Sequence, residues 1–260
     1  MTNASPALAP SFAAAEDGLA RIAGLAPSAV LRRRLERHAA LLDALSPDPS
    51  DSDPAWAALL DAVTVQETRL FRAASQLAAI ADRLPTLVRG DRPLRILSAG
   101  CATGEEAWSL AVLAAEAGLP AEVTGLDLCR PALRVAEAGR YGPGPPDPLR
   151  EVPDAWGSRF DRADGTVAAR LPDDVAVRFR RANLLDPPDD LPAFHVALCR
   201  NVLIYLLPEA RDAVLRGLLA HLAPGGILVL GATDSPPRGA RLRALDRSRA
   251  IWVRDEGDGA

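Results

Sequence analysis

The stretch Leu97-Ser98-Ala99-Gly100-Cys101-Ala102-Thr103-Gly104-Glu105-Glu106 leaves an apolar run, crosses two glycines and enters an acidic, apolar-periodic segment. That order reads as a strand, a tight loop and the start of a helix. Glycines let a loop backbone approach a ligand closely, and the first amides of the following helix point, without helical partners, into the same space. A second apolar run, Val123-Thr124-Gly125-Leu126, ends in Asp127. An acid after the second strand of such a unit grips ribose hydroxyls, so a nucleoside suits this spacing. Plainer readings stand beside it. The loop is not GxGxxG and also serves as simple chain reversal, and Asp127 also suits a turn or the cap of a helix beginning near Pro131. Thr103 followed by Glu106 fits a capping box.

The elements that position these residues show in the periodicity. From Phe12 to about Leu84 the pattern is helical, with Leu31, Leu35, Leu41, Leu42 and Leu45 on recurring turns. Ser46 to Pro54 is a loop, and Asp53-Pro54 starts another helix. After Pro85, apolar runs at 94–99, 123–126, 175–179, 196–199 and 227–230 alternate with helical segments, which predicts a mostly parallel sheet covered on both faces. Ligands bind beyond the carboxyl ends of such strands, where Gly100, Asp127 and the residues after Cys199 fall. The proline-rich stretch 142–148 reads as a turn. Short apolar runs around Asp164-Gly165 predict a small hairpin within 159–178. Pro208 to Leu222 reads as a helix that Pro224-Gly225-Gly226 stops. The expected division is a disordered tail over 1–11, a helical domain over 12–85, an α/β domain over 86–254 with an insert over 159–180, and a tail over 255–260.

Composition narrows the classes. With 260 residues, 48% of them apolar, the chain can fill one large core or two smaller ones. A net charge of −4 argues against a broad nucleic-acid surface. Every one of the 30 basic residues is arginine, so arginine clusters carry less meaning than usual. Cys101, Cys129 and Cys199 show neither CxxC nor histidine-linked spacing, which predicts no disulfide framework and no metal site. No uninterrupted apolar stretch reaches the ~18 residues of a spanning helix, so a soluble, cytoplasmic protein is expected.

Four segments together resemble the CheR family of chemotaxis-receptor methyltransferases. Thr64-Val65-Gln66-Glu67-Thr68-Arg69-Leu70-Phe71-Arg72 is similar to the family's T-x-N-E-T-x-F-F-R. Ser98 to Leu110 is close to its SAGCSTGEEPYSL. Gly125-Leu126-Asp127-Leu128 through Gly139-Arg140-Tyr141 looks like its D-I-D and G-x-Y stretch, and Cys199-Arg200-Asn201-Val202-Leu203-Ile204-Tyr205 is nearly identical to its CRNV-x-IY. The resemblance runs from about Ala29 to Val253. It implies a class I S-adenosylmethionine (SAM) methyltransferase fold of Rossmann-like type, with a small all-helical N-terminal domain and an inserted antiparallel β-subdomain. The chain departs from the pattern at Gln66, Leu70, Ala102, Ala107-Trp108 and Cys129. The longer Gln66 side chain implies weaker SAM binding or a shifted backbone.

The same resemblance implies the site. SAM, leaving as S-adenosylhomocysteine, would be held by Gln66, Thr68, Arg72, Gly100, Glu106, Asp127, Asn183, Leu184, Asn201 and Val202. Asp127 would take the ribose, Glu106 the methionine ammonium and Asn183-Leu184 the adenine. Arg72 and Tyr205 would be catalytic, as a charged fork and an orienting hydroxyl. A surface ion pair and a core aromatic are the plainer readings of those two. Arg33, Arg34 and Arg37, with Arg32, resemble the family's receptor-docking helix, and a solvated face is the alternative. The implied activity is methylation of glutamate side chains in the cytoplasmic helical region of chemoreceptors, or of a chemosensory-like signalling protein, by a monomer. Glutamate is already ionised at neutral pH, with a reference pKa of ~4.3, so no general base is required. A class I methyltransferase with another substrate and a non-catalytic SAM-binding signalling module are the alternatives.

Overall fold

A computed structural model describes residues 11–256 except 89, 91 and 143–145. The proline-rich turn expected at 142–148 lies partly outside the described residues, as do 1–10 and 257–260 of the two expected tails. Contacts divide the chain into two compact units. The smaller holds the described part of Met1–Val65 together with Tyr205–Arg211, and the larger holds Gln66–Ile204 and the described part of Asp212–Ala260.

The smaller unit is helical, and short polar residues decide where its helices begin. The Ser11 hydroxyl accepts from Ala14 N–H at the start of α1 (Phe12–Ala23), and Ser28 does the same for Leu31 in α2 (Ala29–Arg37). A 3-10 turn over Ala39–Ala44 leads into the Ser46–Asp53 loop. Asp53 accepts from Ala55 and Trp56 at the start of α3 (Pro54–Val63), where Pro54 loses nothing by lacking an N–H. Leu19, Leu35, Leu59, Leu60 and Trp56 are buried. The Trp56 ring lies so close to Gly18 that a Cβ there would meet it at 2.1 Å.

The larger unit begins with α4 (Ala74–Ala81) and the single turn α5 (Leu84–Leu87). The change in composition after Pro85 therefore does not mark the boundary between the units. Leu70, Phe71, Leu77, Ile80 and Leu84 belong to the same buried cluster as the sheet, which carries 66–88 into the larger unit. The α/β elements follow as β1 (Leu94–Ala99), α6 (Glu105–Glu116), β2 (Ala121–Asp127), α7 (Arg130–Ala138), α8 (Asp154–Gly157), β3 (Phe160–Ala163), β4 (Thr166–Ala169), β5 (Val175–Arg181), β6 (Phe194–Cys199), α9 (Pro208–Ala220), β7 (Leu222–Leu230), β8 (Leu242–Asp246) and β9 (Ile251–Arg254).

Among the described residues one sheet has the order β5-β2-β1-β6-β7-β9-β8. The first five strands run parallel, and β9 and β8 close the edge antiparallel. Connections leave β1 toward β2 on one side and return to β6 on the other, which makes the β1/β6 carboxyl end the switch point where such sheets bind ligands. β3 and β4 form a separate hairpin through Asp164 and Gly165, both at positive φ as a tight primed turn requires. Of the expected insert at 159–180 only this hairpin stands apart, because Val175–Arg181 pairs along β2 in the main sheet.

The end of the last long helix is a second correction. Leu222 begins β7 rather than ending α9, and Pro224-Gly225-Gly226 lie within that strand. The prolyl and glycyl residues sit where its register with β6 shifts between Phe194 and Val196, so their turn chemistry makes an irregularity in the strand instead of a helix stop.

Candidate active site

The loop after β1 is held over the end of β2 by its own amides. Gly100 and Cys101 N–H both donate to the Leu126 carbonyl, at 2.8 and 3.0 Å. Gly100 sits at φ 75, and a Cβ on it would meet Val202 Cγ2 at 2.3 Å, so glycine is needed for both conformation and space. Ala102 is also left-handed, at φ 49. Its N–H donates to Asp127 Oδ2 at 2.8 Å, while Cys129 N–H donates to Oδ1 at 2.9 Å. Asp127 is thus fixed at the strand end by an amide on each oxygen.

Glu106 does not close a capping box. The residue capping α6 is Gly104, at φ 90 and without a side-chain bond, and the Thr103 hydroxyl donates to Glu105 instead. Glu106 is the next residue, still in the first turn of α6, and faces the sheet. Ser98 Oγ donates to its Oε1 at 2.7 Å, and Arg200 Nε to its Oε2 at 2.6 Å. The two side chains are only 4% and 11% exposed, which makes this a buried ion pair. Arg200 Nη1 also donates to the Arg72 carbonyl at 2.7 Å and to Gln76 Oε1 at 3.0 Å. Gln76 in turn donates to the carbonyls of Leu230 and Arg249. Both Glu106 oxygens, the Gln76 amide and two of the Arg200 nitrogens are thus hydrogen-bonded, which is how a buried charge is tolerated.

Arg72 lies on a tight turn between Phe71 (φ 54) and Ala73 (φ 58), each costing about 1 kcal/mol or more for a residue with a Cβ. Its Nη1 donates to the Glu67 carbonyl at 2.7 Å, and its Nη2 lies 3.6 Å from the Glu67 carboxylate. Gln66 and Thr68 are half-buried on the same segment. Asn183 and Leu184 follow β5, tied to β2 through Ala182 N–H and the Asp127 carbonyl, and Asn183 Oδ1 accepts from Leu185 N–H. Asn201 adopts φ 59 directly after Arg200, which turns the chain so that Val202 lies against Gly100.

The larger unit therefore brings Arg72, Gly100, Glu106, Asp127, Asn201 and Val202 to the carboxyl edge of β1, β2 and β6. Tyr205 belongs to the smaller unit, where its carbonyl accepts from Ala26 N–H at 2.8 Å. On α2 of that unit, Arg32 forks onto Glu16, and Arg34 donates to the Thr64 carbonyl at 2.9 Å. Arg33 and Arg37 are exposed and form no ion pair among the described residues. Residue reasoning missed Arg200, Gln76 and Ser98. Arg200 had a visible signal, since an arginine between a buried strand and a site loop must find acceptors.

Burial pushes the Cys101 thiol, the Tyr141 phenol and the Glu105 carboxyl above their ordinary ranges, and the Asp127 charge adds to the effect at Cys101. The Tyr141 hydroxyl donates to the Thr103 carbonyl at 2.9 Å and holds the far end of the loop. Ser98, Cys101 and Cys199 beneath the site are buried, and fixed charges act more strongly in such surroundings than in water.

A mostly parallel sheet, a glycine loop after β1, an amide-held acid after β2 and a site at the β1/β6 switch define a class I SAM-dependent methyltransferase. Residues 66–246, well over half the chain, match the family model described as CheR methyltransferase, SAM binding domain. The chain belongs to the CheR methyltransferase family. It is 34% identical over 193 residues to Chemotaxis protein methyltransferase 1 of Vibrio cholerae, covering 68% of each chain. It is 34% identical over 196 residues to Chemotaxis protein methyltransferase 1 of Pseudomonas aeruginosa, covering 68% of this chain and 69% of that one. It is 36% identical over 192 residues to the probable biofilm formation methyltransferase WspC of Pseudomonas aeruginosa, covering 68% of this chain and 44% of that one.

The residues present fit SAM. Asp127 presents an acceptor-only carboxylate, oriented by the Ala102 and Cys129 amides, at the strand end where a ribose diol would donate.

Proposed function

We propose that the protein moves the methyl group of SAM onto glutamate carboxylates in the cytoplasmic helical region of a chemoreceptor or a chemosensory-like signalling protein, working as a cytoplasmic monomer. The observation that carries this reading is Arg72, a guanidinium on a rigid turn tied through Arg200 to Glu106. A planar cationic fork suits an incoming carboxylate, which it can hold and orient bidentately. SAM supplies an electrophilic methyl on sulfonium sulfur. The glutamate oxygen forms the new C–O bond as the C–S bond breaks, the electron pair goes to sulfur, and no proton moves. What this chain must provide is alignment and a dry pocket, with reacting atoms about 3 to 3.5 Å apart.

In this reading Asp127 holds the ribose, the lightly loaded Oε1 of Glu106 meets the methionine ammonium, and Asn183-Leu184 lie beside adenine. Gln66, Thr68, Gly100, Asn201 and Val202 complete the cofactor contacts. The family resemblance gives Tyr205 an orienting hydroxyl. Arg33 and Arg37 would meet an acidic helical substrate, whereas Arg32 and Arg34 are engaged within their own unit. The names of the Vibrio and Pseudomonas relatives support a chemosensory substrate.

The decisive experiment supplies methyl-labelled SAM and a receptor cytoplasmic fragment from the same host. Base-labile label released as methanol is expected. Base-stable label, or none, would sink this reading.

A further inference from the structure

Arg72 sits between two left-handed residues that are not glycine, so its turn does not hold that shape unaided. Its surroundings grip it from two sides. The fully buried Phe71 ring stacks on Trp156 with centroids 4.8 Å apart and planes 21° apart, and it meets Phe160 edge-on at 6.2 Å. The Phe71 amide donates to Ser109 Oγ at 2.9 Å, and Arg200 holds the Arg72 carbonyl. Just ahead of the turn, Arg69 pairs with Glu151. Glu151, Trp156 and Phe160 all come from the stretch that leads into the β3–β4 hairpin.

We propose that Trp156 is a positioning residue for methyl transfer: its stack on Phe71 holds the turn that aims the Arg72 side chain. Trp156 touches no reacting atom. A flat, rigid ring against Phe71 fixes the backbone there, and a small rotation of that backbone is magnified at the guanidinium, several bonds away. Leucine would fill some of the volume without imposing the stacking plane, whereas phenylalanine keeps a ring to stack. The inference rests on the role proposed above for Arg72.

The test uses the full chain carrying Trp156→Leu, Trp156→Phe or Arg72→Ala. For each, kcat and KM are measured with a receptor fragment, S-adenosylhomocysteine affinity is measured by calorimetry, and amide hydrogen exchange is followed along the chain. W156L should lower kcat about tenfold, with product affinity changed less than about threefold. Exchange should rise across 69–76 while β1, β6 and β7 stay protected. W156F should recover most of the lost rate. The proposal is overturned if W156L leaves kcat within about twofold of the parent, if affinity falls in step with kcat, or if exchange rises throughout the sheet. If R72A keeps the parent's kcat, the reading of Arg72 fails by itself, and the exchange pattern of W156L then decides whether Trp156 holds the turn.

Discussion

Asp127 carries two duties with one carboxylate. It receives the Ala102 and Cys129 amides, and in the proposed reading it also receives the ribose. Asp127→Asn must turn an NH2 toward one of those amides, leaving two donors facing each other. Stability should fall by about 1–3 kcal/mol, and S-adenosylhomocysteine should bind about tenfold more weakly by calorimetry. Unchanged affinity would show that the acid serves only the loop. Glu105 gives a prediction of opposite sign. Burial raises its carboxyl pKa, so the unfolded chain ionises first as pH rises, and the residue costs stability at neutral pH. Glu105→Gln keeps an acceptor for the Thr103 hydroxyl and removes the titration. Its melting temperature should exceed the parent's near pH 7, and the gain should vanish below about pH 4, where the carboxyl is protonated in both states. A gain that grows with acidity would contradict this account.

At the scale of elements, the loop between β1 and α6 is shaped by what packs beneath it. Gly100 is constrained by a positive φ and by Val202 from the loop after β6. Gly100→Ala should cost about 2 kcal/mol or more in chemical denaturation, combining backbone strain with the overlap. Adding Val202→Ala should return the overlap portion and leave the strain, so the two changes should not be additive. Additivity would mean that the two loops do not press on each other. The strands were legible from apolar runs bounded by turn residues, as β1, β2, β5, β6 and β7 show. The start of β7 was not, because Pro224-Gly225-Gly226 has the local chemistry of a helix stop, and only pairing with β6 absorbs it as a strand irregularity.

For the whole molecule, two compact units give two independent probes. Cys101, Cys129 and Cys199 are all buried in the larger unit, and burial holds the Cys101 and Cys199 thiols protonated. Thiol reagents at pH 8 should leave the native protein unmodified and label it only at the rate at which that unit opens. Rapid labelling of Cys101 would show the glycine loop to be open in solution. Trp56 is buried in the smaller unit and reports its unfolding separately. On that unit, Arg33→Glu with Arg37→Glu should raise KM for a receptor fragment and leave KM for SAM unchanged. The effect should shrink with added salt, because exposed charges are screened over about 8 Å at physiological ionic strength. An increase indifferent to salt would point to contact rather than steering.

What the sequence determined by itself was periodic or short-range. Apolar spacing laid out the strands and helices, Asp53-Pro54 announced one helix start, and the glycine loop with Asp127 pointed to a nucleoside edge. These signals are local because side-chain direction and turn chemistry repeat over two to four residues. Tertiary structure alone decided which partners the buried polar groups found. Glu106 turned from a helix cap to Arg200, 66–88 joined the sheet's core despite its helical pattern, and Tyr205 fell in with the N-terminal helices. A buried charge or a half-buried helix takes whichever acceptor or apolar face the folded chain delivers, often more than a hundred residues away, and no local pattern encodes that choice.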